Sequence, residues 1–154
     1  MTIKDVKYKK SFQNDHKLSK LLNQFESLIN ELKKKKLTEN LVLFINSQIE
    51  EVNSIEDSNK RLKNKIRKNQ SKIIQQVEKE SKIVPKNHYR NTWLALGMAV
   101  FGIPMGVAFG TILGNLAVIG IGLPIGMAIG IAIGTNKDKQ ALEEGRQLDF
   151  EVKY

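Results

Sequence analysis

The chain has 154 residues, 41% of them hydrophobic and 27% charged, with a net charge of +9 and no cysteine. That length allows one modest domain with appendages. The missing thiol excludes disulfides, thiolate catalysis, Cys-type zinc sites and a lipid-modified cysteine. The averages conceal two different materials: no charge falls between Arg90 and Lys137, and ten of the eleven glycines lie from Gly97 to Gly134. The excess charge is also local. From Lys60 to Arg90 there are eleven Lys or Arg against Glu78 and Glu80, a surplus equal to that of the whole protein. Such a distribution points to a basic segment beside an apolar one, and away from a generally basic, nucleic-acid-binding surface.

Residues 1–14 carry little pattern beyond Val6 and Tyr8 and are expected to form a loose arm; no apolar core follows the basic start, which argues against a cleaved signal peptide. From Asp15, an N-cap candidate, Leu18, Leu21, Leu22, Phe25, Leu28, Ile29 and Leu32 recur at the spacing of one helix face. A second helix is predicted from Thr38 towards Val84, before Pro85. Ile45, Val52, Asn59, Ile66 and Ile73 keep a heptad register there, with Ile55 and Leu62 at the alternate sites and Gln48, Asn59 and Asn69 as polar interruptions. The expectation for residues 15–84 is a helical hairpin or coiled coil able to hold a protein partner. Its segment 60–90 is basic enough to contact anionic lipid headgroups.

Lys86, His88, Tyr89, Arg90 and Trp93 form a polar and aromatic cluster of the kind found at headgroup depth. Residues 93–135 then hold an internal repeat. Gly102–Gly114 aligns with Gly122–Gly134 at an offset of 20, with six of thirteen positions identical. An offset of 20 is about one bilayer crossing. Two helices are predicted, about 93–113 and 116–135, joined at Gly114 and Asn115. Gly102, Gly106, Gly110 and Gly114, and again Gly122, Gly126, Gly130 and Gly134, are spaced by four, which places each set on one helix face for close packing. Pro104 and Pro124 occupy matched positions and are expected to bend both helices. Cations lie on both flanks, with Lys137 and Lys139 on the C-terminal side, and none in the connecting turn. That pattern puts both termini in the cytoplasm of a multi-pass inner-membrane protein. In the cytoplasmic tail, 136–154, a short helix around Lys139–Glu144 and an alternating run Leu148, Phe150, Val152, Tyr154 are expected, the latter to pair with the N-terminal arm.

The two GxxxGxxxGxxxG runs resemble those of bacterial glycine-zipper membrane proteins, over about a quarter of the chain. That group includes outer-membrane lipoproteins, mechanosensitive channel subunits, bacteriocins and pore-forming toxins; without a cysteine the lipoprotein branch is set aside. The motif is specific for close helix packing and poorly specific for function. The fold class expected is all-α: a cytoplasmic helical hairpin or coiled coil followed by a two-helix transmembrane hairpin. No catalytic constellation, metal set or cofactor motif is present, which argues against an enzyme. Two functions follow: a self-associating membrane anchor that presents a cytoplasmic scaffold, or a pore-forming or permeabilising homo-oligomer.

Overall fold

The computed structural model describes residues 2–7, 15–55 and 59–152. The chain is mostly helical and divides into two compact units, one up to Pro85 together with the chain from Leu148, the other Lys86–Gln147.

Three helices build the first unit. Helix α1, His16–Lys33, begins where the Asp15 side chain accepts from the backbone N–H groups of Lys17 and Leu18, both at 3.1 Å. These two donors have no partner inside the helix, which is why an acidic N-cap fixes the start. Helix α2, Glu39–Asn53, is capped by Thr38, whose hydroxyl accepts from Leu41 N at 3.4 Å. Helix α3, Asn59–Ser81, packs against both. One core holds Phe25 and the leucines of α1, Leu41, Ile45, Ile49 and Val52 of α2, and Leu62, Ile66, Ile73 and Val77 of α3.

The single long second helix expected from the heptads is therefore two. α2 closes with Ser54 N bonded to Glu50 O at 2.9 Å and Ile55 N to Val52 O at 3.3 Å, a tightened last turn. Val52, Leu62, Ile66 and Ile73 sit in an intrachain core. Ile55 is half-buried in the turn, and Asn59 is exposed at the first position of α3. Folding back lets α3 cover the apolar faces of α1 and α2 together, which a projecting stalk would leave wet.

The arm is docked over its described part. Asn46 of α2 accepts from Lys4 N at 2.8 Å and donates to Thr2 O at 3.1 Å. Asn53 accepts from Lys7 N at 2.9 Å and donates to Asp5 O at 3.4 Å. Each amide brackets one apolar residue, Ile3 or Val6, and both pack on the core. Tyr8, the other half of the expected arm strand, lies outside the described residues.

Among the described residues the tail does not pair with this arm. Strand β1, Val84–Lys86, pairs with strand β2, Gln147–Glu151. α3 ends at Ser81 because Lys82 turns left-handed, with φ of 56°. Ile83, Val84, Leu148 and Phe150 are then buried, so the alternating tail run is apolar on one side because it lies on the helices. Tyr154 lies outside the described residues.

Besides Asn46, three side-chain amides are buried among the described residues. Asn69 is fully buried and donates to the backbone oxygen of Gln48 at 2.9 Å, but the side-chain oxygens of Gln48, Asn69 and Gln70 have no hydrogen-bond partner among the described residues. A buried orphan acceptor costs about 1–3 kcal/mol. Replacing Asn69 with leucine is expected to raise stability by about 1 kcal/mol, whereas Ile66→Ala lowers it by about 2–5 kcal/mol. Hydrogen exchange of α3 amides measures both.

Ion pairs tie α3 to its neighbours. Lys63 meets Asp15 at 2.5 Å and Lys65 meets Glu51 at 2.6 Å. Lys63 holds the Asp15 carboxyl, Lys65 holds that of Glu51, Lys33 holds that of Asp5, and Lys34 holds that of Glu31, all below the usual carboxylate range. Carboxylates depressed on folding add stability above their unfolded values near about 4 and lose it as pH falls through the folded ones. Stability of this unit is therefore expected to be flat from neutral pH to about pH 5 and to decline below about pH 4, read as the thermal midpoint against pH.

Candidate functional site: the apolar helix pair

The second unit contains two helices long and apolar enough to cross a membrane, His88–Ile112 and Ile119–Glu143. The first is composite: α4, His88–Gly97, a π-helical turn at Met98–Gly102, and α5, Ile103–Ile112. The second is α6, Ile119–Glu143, uninterrupted through Pro124. The expected bounds shift outward. The first helix starts at His88, and the second absorbs the tail helix foreseen around Lys139–Glu144.

Backbone meets backbone between these helices. A methyl group placed on Gly122 would come within 3 Å of Gly102 and Gly106, and one on Gly126 would do so against Gly97 and Gly102. Gly130 faces Trp93 and Gly97, Gly134 faces Tyr89 and Arg90, and Gly106 faces Ile119 in the same way. Partner numbers rise along one helix as they fall along the other, so the helices run in opposite directions. Gly110 is looser, with the Ile119 side chain at 3.0 Å from an added Cβ.

Gly114 does not pack. It has a φ of 60° and open space around it, because the first helix has already ended. Its N–H bonds Thr111 O at 3.3 Å and that of Asn115 bonds Gly110 O at 3.0 Å. Gly145, with a φ of 68°, ends α6 with the same pair of bonds, to Leu142 and Ala141. This is the Schellman arrangement, in which a left-handed residue satisfies the last carbonyls. Gly114 and Gly134 are equivalent in the repeat and yet do different jobs.

Gly97, outside the repeat, is part of the contact. It precedes Gly102 by five residues. In an α-helix five residues turn roughly 140° away from the starting face. The π-helical turn accommodates the extra residue, with Ile103 N bonded to Met98 O. Pro104 follows directly and lacks the N–H that a regular ladder would direct at Val100.

The polar end of the pair is held by a buried carboxylate. Asp138 on α6 accepts from Tyr89 N at 3.0 Å and Arg90 N at 2.8 Å. The cap residue of α4, Asn87, is left-handed and does not cap with its side chain, so Asp138 serves this helix N-terminus from across the pair. Lys137 lies over the Trp93 ring, 5.6 Å from its centre. Lys139 is exposed and 3.8 Å from Glu143, and Lys86 and Arg90 are exposed.

Inside the apolar stretch the polar side chains serve their own backbone. Thr111 donates to Ala108 O at 2.8 Å, and Asn115 accepts from Ala117 N at 3.0 Å. Among the described residues no group of His, Cys, Asp or Glu could hold a metal ion. Comparison with family models, with curated proteins and with solved structures gives no match to this chain.

Gly122→Leu and Gly126→Leu are expected to force the two helices apart, while Gly120→Leu, at a site open to its surroundings, leaves them in place. Double electron–electron resonance between spin labels at Leu96 and Gln140 of the full chain in lipid measures the separation.

Proposed function

We propose that the chain is a two-span membrane anchor that holds a small helical domain at one membrane surface. The observation that carries this reading is an inversion of side-chain size. Glycines fill the contact between the two apolar helices, and the large apolar residues face outward. Val100 is 56% exposed, Ile112 78%, Leu113 63% and Ile121 55%. Only 22% of each apolar window is buried. A helix in the core of a water-soluble protein buries its large residues and leaves the small or polar ones outside. In hydrocarbon the preference reverses, because lipid tails cover large apolar side chains and helices associate by close backbone approach. The polar backbone stays satisfied within each helix.

The charge pattern supports a common side for both ends: Lys86, Arg90, Lys137 and Lys139 flank the pair, while residues 113–118 carry no charge. The glycines face each other within one chain, so self-association would have to use the outward side chains. The polar atoms of Thr111 and Asn115 serve the backbone, which leaves little to line a water-filled pore.

Expressed in bacteria, the full chain is expected to stay with the membrane through alkaline carbonate. Since it has no cysteine of its own, single cysteines report sidedness. Leu113→Cys should react with an impermeant maleimide in intact spheroplasts, and Gln140→Cys only after permeabilisation. Release by carbonate would defeat the anchor. Equal labelling of the two positions would defeat the two-span topology.

A further inference from the structure

We infer that the outward face of α3 is a contact surface for anionic phospholipid headgroups, and that it rests on the membrane that carries the apolar pair. The inference depends on the two-span reading above and adds a second, electrostatic attachment to it.

The apolar stripe of α3 is not available for insertion. Leu62, Ile66, Ile73, Ile74 and Val77 are all buried in the core. An in-plane amphipathic helix buries such a stripe among acyl chains, and here the protein already covers it. What the helix presents outward is charge. Lys63 and Lys65 point sideways and are tied to Asp15 and Glu51. Lys60, Arg67, Lys68 and Lys79 are exposed, and no carboxylate lies within ion-pair distance of them among the described residues. At 100° per residue these four fall within roughly a third of the helix circumference and extend over about 28 Å of its length. Asn64, Ser71 and Gln75 share the same arc, and the acid falling within it is the half-buried Glu78. Of the eight cations on the helix, two join it to its neighbours and four form one outward row.

The covalent structure limits how far the Lys79 end of that row can lie from the start of the apolar pair. Six residues separate the end of α3 at Ser81 from the start of α4 at His88, a reach of at most about 25 Å. The chain leaving the apolar pair is bound back by the pairing of β2 with β1, so the domain has two attachments. A tethered row of cations meets an anionic leaflet at high effective concentration, and each Lys or Arg at such a surface favours contact by roughly fivefold. Nucleic acid fits the face less well, since no aromatic side chain interleaves with its cations for base stacking.

The test uses the full chain reconstituted in vesicles, with Ser71→Cys carrying a fluorescent donor and an acceptor on the lipid headgroups. Ser47→Cys, exposed on α2, is the control. Retention of the protein by the vesicles after an alkaline wash is scored first and separately. Energy transfer from position 71 is expected to rise when phosphatidylglycerol is added to phosphatidylcholine, with no comparable rise at position 47. The gain should vanish between about 0.1 M and 1 M salt, as the screening length falls from about 10 Å to about 3 Å. It should also vanish in an Arg67→Glu/Lys68→Glu/Lys79→Glu variant. Salt acts on the unaltered domain, so that arm does not depend on the variant folding. Transfer indifferent to phosphatidylglycerol in protein retained by the vesicles would overturn the headgroup contact and leave the anchor standing. The same indifference with a response to added RNA would assign the face to nucleic acid and overturn it too. Loss of the protein from the washed vesicles would defeat the anchor itself, and this inference with it.

Discussion

Two helices that lack side chains along one face can approach until their backbones touch, and the second unit depends on that approach. Between Gly97 and Gly106 on one strand of the pair and Gly122 and Gly130 on the other, the separation leaves no room for a methyl group. In water, glycine at this density would weaken a helix by roughly 1 kcal/mol per position relative to alanine. In hydrocarbon such a helix would be retained, because its backbone would have no other partner. The same glycines then permit the dispersion contacts that hold the pair together. The π-helical turn at Met98–Gly102 and the carboxylate of Asp138 both serve this contact. The first keeps the glycines in register, and the second satisfies a helix start whose own cap residue, Asn87, gives it no side-chain bond.

The first unit follows the opposite rule. Its large side chains are inside, and its cohesion comes from removing them from water. The buried amides of Gln48, Asn69 and Gln70 run against that logic and weaken the core. Polar groups at a helix seam are best known for fixing register. Asn69, bonded to the backbone of Gln48, is placed to set how α3 lies along α2.

Much of this was legible in local pattern. The apolar face of α1, its Asp15 cap and the length of the apolar stretch follow from spacing alone, and so does the four-residue step of the α6 glycines. What was not legible is non-local. Val52, Asn59, Ile66 and Ile73 stay seven apart across the turn at Ser54, so periodicity gives no sign that the chain reverses. Leu148 and Phe150 alternate like a strand, but alternation does not name a partner, and Val84–Lys86 has a proline at its centre. Gly97 was hidden by a five-residue step that only a π-helical turn can bring onto the glycine face. Asp138 looks like one more charged residue after an apolar run. Its role appears only when α4 begins beside it.

The two bracketing asparagines on α2 have a metrical consequence. Asn46 and Asn53 are seven helical residues apart, about 10.5 Å along the axis. Ile3 and Val6, which they enclose, are three extended residues apart, about 10 Å. Helix and arm therefore share a common measure, and the amides grip peptide groups rather than side chains. Lys4 and Asp5 can vary without disturbing the match, and residues added ahead of Thr2 lie beyond it. A single residue inserted between Ile3 and Val6 would break the shared spacing, and one of the two asparagines would lose its peptide.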